Sequence, residues 1–465
     1  MKALYYLLAV FLFLKSYEVS QDIPEIKKES NTKYNFGQWV IYEMNVGAFT
    51  QEGTFNAAAE RLSELKSLGI DVIWLMPIYV RDGGLNSPYA PRDYRNPNPS
   101  YGTISDLKNF VSKAHELEME VWLDWVPSHT ANNHPWLTEH PDYYASELHP
   151  FYPDVSQLNY ENINLRNEMT SILKYWIDEV DIDGYRCDFI SNSYIPNDYW
   201  LSAIPELKNY KQGKVITMLG EADFTDITRL FGTGWDYDYA WWFQETALWH
   251  TVGSSSNAAS LKQVCDTLVN DERYSELDRM VYLTNHDVNF NHKVKLSDMY
   301  GENKYAFTVL IFTLYGMPLI YNGQEIGGEQ LLDYFSDAKI DWSQKDKKMY
   351  NTIKTLANLK HTVNAFKDGK NKEERGTVTW INSDGQVAAY IRRNGNNEAL
   401  VVINLGDQID ITLNGVTEGP YIQYLDSKTV ANYISQKYID LTSNPTISLD
   451  KRGYAVYVLQ KYISE

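Results

Sequence analysis

The sequence predicts an α/β fold: a (β/α)8 TIM barrel with a short inserted loop subdomain after strand 3, followed by a C-terminal antiparallel β-sandwich domain. Three observations predict it. Eight short, near-continuously apolar runs recur along the first three quarters of the chain. The segments between them carry helical spacing, as strands covered on both faces require. After about residue 370 the pattern changes to apolar–polar alternation punctuated by Gly and Asn.

The runs fall at 38–46, 71–78, 120–126, 183–189, 215–221, 237–243, 280–285 and 317–323. Residues 55–69, FNAAAERLSELKSLG, predict one helix, with Leu62, Leu65 and Leu68 on a shared face and Gly69 as its stop. The segment 86–102, NSPYAPRDYRNPNPSYG, reads as a Pro- and Tyr-rich loop after the second strand. The gap at about 130–165 is longer than a helix needs and is rich in His, Pro, Asn and Tyr. A long insertion after a barrel strand falls on the face where barrels carry their sites, so it reads as a small substrate-binding subdomain. The expected division is 1–20, 21–369 and 370–465: a signal peptide, the barrel with its insertion, and the all-β domain.

The N-terminal stretch carries one Lys and then the twelve-residue run ALYYLLAVFLFL. That is short for a membrane span and fits the apolar region of a signal peptide. The expectation is a secreted protein (bacterial periplasm, cell surface or medium), monomeric, with no stable membrane insertion once the signal is removed. The formal net charge of −19 repels duplexes and phosphate-rich ligands, so nucleic acid is not expected as a partner. Two cysteines, Cys187 and Cys265, leave no disulfide framework; two free thiols are expected, with Cys187 pointing out of the barrel. The 36 Tyr and 13 Trp supply flat apolar faces with polar edges, the complement of a sugar ring.

Acidic residues stand at the ends of several runs. In GYRCDF, alternation puts Arg186 and Asp188 on one face and Cys187 on the other. The cation favours the ionised carboxylate and predicts a lowered Asp188 pKa, as a nucleophile needs. In LGEAD, Glu221 follows an apolar strand; partial desolvation predicts a raised pKa and a carboxyl able to donate a proton. In YLTNHD, His286 can donate to a hydroxyl and Asp287 can accept from two. Asp124 and His129 stand in and just beyond the third run, and Tyr89 lies in the loop after the second. No H-x-x-x-H, H-E-x-x-H or paired Cys accompanies these groups, so no metal is assigned. Taken singly, each pair also reads as a structural ion pair or a packed loop residue. Jointly, they all fall at C-terminal ends of predicted barrel strands, and no Gly-rich phosphate loop or G-x-S-x-G elbow competes with them.

The motifs DWVPSH, GYRCD, GEAD and TNHD, in this order, resemble those of the α-amylase family of glycoside hydrolases (family 13). The resemblance spans about 36–345. It implies Asp188 as nucleophile, Glu221 as general acid/base and Asp287 as the transition-state stabiliser. It implies Arg186 as the group that keeps the nucleophile ionised. His129, His286 and Tyr89 correspond to sugar-binding groups, and Asp124 to a structural acid. The implied activity is endo-acting hydrolysis of an α-glucan or maltooligosaccharide, with no cofactor required for the chemistry. The same resemblance also covers α-glucosidases, cyclodextrinases, transglycosylases and isomerases, and non-catalytic barrel relatives that have lost carboxylates. Two departures stand out. Ser128 occupies the place of an Asn that often helps bind a structural calcium where the insertion joins the barrel. The residues after Asp188 lack the Lys-His pair that many starch-cutting members carry for the leaving-side sugar.

Overall fold

The computed structural model describes residues 36–81, 87–146, 152, 154–222, 230, 232–270, 277–368, 375–430 and 437–460. The expected signal peptide lies outside them. Each apolar run places one strand in a closed parallel barrel: β1 (Ile41–Met44), β2 (Val72–Leu75), β3 (Glu120–Trp125), β4 (Gly184–Cys187), β5 (Thr217–Gly220), β6 (Tyr237–Tyr239), β7 (Asp278–Val281) and β8 (Met317–Tyr321). Neighbours in the chain are neighbours in the sheet, and β1 closes the ring by pairing with both β2 and β8. Closure leaves no edge strand to protect.

The covering helices begin and end where local chemistry says they should. Asn162 accepts from the amides of Asn164 and Leu165 and starts the helix Ile163–Val180; Asp181, in a left-handed conformation, stops it. Its buried face carries Leu165, Met169, Ile172, Leu173 and Trp176. Thr103 and Asp106 form a reciprocal cap for Ile104–Glu116. Among the described residues, no helix is long and apolar enough to cross a membrane.

Four local expectations change. Residues 55–69 form two helices, Phe55–Ala59 and Leu62–Leu68, rather than one. The break at Glu60–Arg61 lets the Arg61 guanidinium lie 3.8 Å from the Trp342 ring while bonding Glu64. Gly69 does end the second helix, at φ 99°. The run at 237–243 is a strand only to Tyr239. Trp241 then stacks back on Tyr239, and an unusual π-helix, Trp242–Val252, follows. The segment 86–102 is not all loop, because Pro91–Pro97 pairs antiparallel with Tyr79–Arg81. The insertion after β3 contains a two-stranded sheet, His129–Ala131 with Val155–Gln157.

The C-terminal region forms β9 (Thr377–Asn382), β10 (Val387–Asn394), β11 (Asn397–Asn404), β12 (Ile409–Thr412), β13 (Gly419–Asp426), β14 (Lys437–Leu441), β15 (Thr446–Leu449) and β16 (Tyr454–Leu459). Six make one antiparallel sheet, ordered β9-β10-β11-β16-β13-β14, and β12 pairs with β15. Alternation divides this sheet's side chains. Val387, Ala389, Leu400 and Val402 pack with Ile447 and Leu449 of the smaller sheet, closing a sandwich. Ala388, Tyr390, Val401 and Tyr454 face the barrel core instead. There the Tyr390 and Tyr454 hydroxyls bond Thr313 and Thr352.

Barrel closure leaves no room at Gly184. A Cβ built there would lie 2.6 Å from the Thr217 carbonyl oxygen and 2.8 Å from the Trp122 ring. Gly184→Ala should therefore cost about 1–3 kcal/mol by overpacking. Chemical denaturation checks this; an unchanged midpoint contradicts it.

Candidate active site

Strand alternation aims Arg186 into the barrel, while Tyr185 and Cys187 face outward. The Tyr185 hydroxyl donates to the Leu173 carbonyl of the covering helix, 2.6 Å away. Cys187 and Cys265 are free and buried. Arg186 is wholly buried. Its Nη1 donates to Asp124 Oδ1 at 2.8 Å and Asp188 Oδ1 at 3.0 Å, its Nη2 to Glu221 Oε2 at 2.6 Å, and its Nε to the Tyr239 hydroxyl at 2.9 Å. The rings of Trp74, Tyr89 and Tyr239 surround the guanidinium. One cation from β4 thus joins carboxylates from β3, the end of β4 and the end of β5.

Phe189, the next residue after Asp188, has φ 43°, a left-handed conformation that a bulky side chain rarely adopts. Its amide donates to Glu221 Oε2 at 3.0 Å. The strain is thus located where it ties the end of β4 to the end of β5. Asp188 and Glu221 each keep 14% of their side-chain surface exposed, so both reach the cleft.

Burial pushes Glu221 up to about 7; Arg186 opposes this, and Asp188 and Asp287 add to it. Asp188 does not follow the expectation of a lowered pKa. Burial lifts it to about 6 against the pull of Arg186, with Asp124 and Asp287 adding to the rise. Asp124 is likewise lifted to about 6 by burial, opposed chiefly by Arg186. The physical reason is the sharing: one guanidinium divided among three desolvated carboxylates cannot hold all three in their ionised form.

On the far side, His286 is buried at the start of the short helix His286–Asn291. Its Nδ1 bonds Glu43 Oε1, and its Nε2 lies 3.4 Å from Asp287 Oδ2. Burial pulls His286 down, but Asp287 and Glu43 outweigh it and raise the imidazole to about 9. Asp287 is a quarter exposed and accepts from Asn291 Nδ2. Tyr89 stacks on His286 with ring centroids 5.1 Å apart, and its hydroxyl donates to Asp124 at 2.8 Å. His129 has Nε2 at 2.7 Å from the Tyr89 carbonyl and Nδ1 at 2.7 Å from the Ser128 hydroxyl, so its direct contacts hold Tyr89.

All eight residues singled out in the sequence therefore converge on one network. Six of them, Tyr89, His129, Asp188, Glu221, His286 and Asp287, line a cleft of about 450 Å³, and the buried Arg186 and Asp124 hold them through hydrogen bonds. Sequence reasoning missed Glu43, whose signal was a lone acid inside the apolar run VIYEM. It also missed the cleft's aromatic walls: Trp241 on one side, and Phe290, Tyr334 and Phe335 as a stacked group. Trp241 stands near the end of the run 237–243, Phe290 in the short helix His286–Asn291, and Tyr334 and Phe335 between elements; no periodic pattern marks any of them as cleft residues.

Where the insertion meets the barrel, the buried Gln157 amide donates to the carbonyls of Ser128 at 2.6 Å and Leu158 at 2.9 Å. Its oxygen accepts from Asn192. Among the described residues, no group of three or more His, Cys, Asp or Glu is arranged to hold a metal ion.

This geometry can be set beside known proteins. The family model described as "Alpha amylase, catalytic domain" matches residues 28–152 and 140–408. Alpha-amylase MalA of Haloarcula japonica is 26% identical over 387 residues, covering 79% of this chain and 55% of that one. Alpha-amylase 3 of Dictyoglomus thermophilum is 25% identical over 372 residues, covering 67% and 69%. The chain thus spans between half and two thirds or so of these curated relatives' lengths. A noncanonic maltogenic alpha-amylase, AmyB of Thermotoga neapolitana, superposes with a TM-score of 0.76 at 26% identity, covering 91% of this chain and 99% of that one.

The raised Asp188 makes a stability prediction. In an unfolded chain an Asp ionises near about pH 3.9; in the fold it does so near about 6. The folded state therefore loses stability as pH rises through that window, and the loss is complete above it. Asp188→Asn removes this titration. Its gain in Tm over the parent should be largest at about pH 8 and shrink toward about pH 4. A gain that grows toward acid contradicts the assignment.

Proposed function

The chain belongs to the α-amylase family of glycoside hydrolases, and from that premise we propose that it is a retaining, endo-acting enzyme cutting α-1,4-glucosidic bonds of starch or maltooligosaccharides. The observation that carries this reading is the single guanidinium shared by Asp188 and Glu221. It favours a closely spaced carboxyl pair, as the retaining route needs (about 5–5.5 Å), over the wider inverting arrangement. Burial raises both carboxyls; this reading gives Glu221, kept able to hold a proton, the acid's role and Asp188, on the same strand as Arg186, the nucleophile's.

In this mechanism Asp188 attacks the anomeric carbon as Glu221 protonates the leaving glycosidic oxygen. A covalent glycosyl-enzyme forms. Glu221, now ionised, takes a proton from water, which attacks the same carbon and releases Asp188. Asp287 accepts from ring hydroxyls, charged His286 donates to one, and Tyr89, which lines the cleft, offers its ring to the sugar. Trp241, Phe290, Tyr334 and Phe335 line the same cleft as the carboxylates and offer apolar ring faces to a sugar chain. The N-terminal apolar run makes export the expected route to such a substrate.

We read the junction at Ser128 as needing no calcium. In support, the Gln157 amide supplies a donor between two carbonyls, where a cation would want only acceptors.

The substrate reading is tested by incubating the protein with starch, pullulan, cyclodextrin, maltose and trehalose. Oligosaccharides from starch are expected, and Asp188→Asn should abolish them without loss of fold. Glucose alone, or an isomerised disaccharide, would replace the endo reading; near-normal hydrolysis by Asp188→Asn would remove the nucleophile. For the junction, a chelator should leave Tm and starch hydrolysis unchanged, and a drop restored by added calcium would overturn that reading.

A further inference from the structure

Glu43 is the one charged residue in β1, and it is wholly buried. Its neighbours across the sheet are Trp74 on β2 and Tyr321 on β8, neither of which carries a compensating charge. Oε1 bonds His286 Nδ1, and Oε2, equally buried, has no hydrogen-bond partner among the described residues. A desolvated carboxylate with one hydrogen bond is costly unless that bond comes from a cation. The partner it has is a ring that can become one.

That ring is fixed in orientation. Tyr89 lies parallel to it, 12° from coplanar, while Trp74 meets it edge-on at 5.9 Å and Tyr334 at 5.6 Å. Clamped this way, Nδ1 stays on Glu43 and Nε2 stays turned toward Asp287. The 3.4 Å gap to Asp287 Oδ2 is longer than a good hydrogen bond. The Nε2–H is therefore only partly engaged and is available to a hydroxyl that Asp287 also holds.

Resting on the reading of His286 and Asp287 as sugar-binding groups, we infer that Glu43 is a positioning residue that keeps His286 doubly protonated, so that Nε2–H faces the substrate as a charge-assisted donor. The groups bearing on the imidazole are few. Glu43 faces it from β1, Asp287 from its own helix, Asp124 from β3 and Asp188 from the end of β4, all negative when ionised; Arg186 on β4 is the like charge. Of the four acids, Asp124 and Asp188 already share Arg186. Among the described residues Glu43 pairs with no cation besides His286, so its charge is directed at that ring. The pair supplies the cleft with a second positive group beside Arg186, and a charge-assisted hydrogen bond is about twice as strong as a neutral one.

The test uses the full chain with ¹³C-labelled histidine, the His286 signal being the one missing from His286→Asn. In the parent, this ring should remain protonated through about pH 8. In Glu43→Gln, which keeps the shape and removes the charge, its midpoint should fall by at least about one pH unit. The kcat/KM for a maltooligosaccharide should fall roughly tenfold or more, mostly through KM. Glu43→Asp, which keeps the charge, should retain most of the protonated ring. A merely structural Glu43 would not move the His286 titration. An unchanged midpoint in Glu43→Gln, or a neutral His286 at pH 7 in the parent, overturns the inference, and the second result decides even if the variant does not fold. A parent that cuts no α-glucan would sink the substrate reading instead, and the NMR result would still decide the charge.

Discussion

One buried guanidinium holds the centre of this molecule together. Arg186 has no contact with bulk water and carries hydrogen bonds to three carboxylates from three strands and to a tyrosine from a fourth. Removing it would leave Asp124, Asp188 and Glu221 desolvated and mutually repelling, several kcal/mol of uncompensated charge by any ordinary measure of buried ions. Its presence does not make all three comfortable. One positive charge against three negatives leaves an excess, and the site resolves it by keeping protons. Burial raises Glu221, Asp188 and Asp287 add to the rise, and the cation that orders the strand ends limits it. Positioning comes from the cation, and the raised proton affinity from burial working against it.

The barrel makes that arrangement possible by bringing strand ends from distant parts of the chain onto one rim. Closure demands close backbone approach, which Gly184 permits beside Thr217 and Trp122, and Gly220 beside Ile190 and Leu230. Phe189 then adopts its unfavourable backbone conformation at the point where β4 must release Asp188 and still satisfy Glu221. The sandwich domain and the insertion act differently. The first covers one flank of the barrel core with alternate residues of β10 and β11. The second supports the cleft through short strands whose Gln157 ties it back to β3's exit and to Asn192.

Much of this was legible beforehand. The eight apolar runs marked the strands because a doubly covered strand needs continuous apolar residues. Asp188, Glu221, Asp287, His286, Arg186, Asp124, Tyr89 and His129 were all singled out by their place at strand ends. Other features were not legible. The kink at Glu60–Arg61 comes with a contact to Trp342, nearly three hundred residues downstream, and the turn into a π-helix after Tyr239 comes with Trp241 stacked back on Tyr239. The first contact lies outside any local window; the second is local, but no periodic pattern marks it. Glu43 was visible as an acid in an apolar strand, but its meaning required a partner 243 positions away.

By itself, then, the sequence determined the strand and helix periods, the order of the domains and the cast of chemical groups, because those depend on neighbours three or four residues apart. The tertiary structure alone decided which groups share a charge. Alternation said that Arg186 would lower Asp188; assembly divided that cation among Asp124, Asp188 and Glu221, and burial raised all three. Proton affinity follows from desolvation and from distances between strands, and neither quantity exists until the barrel closes.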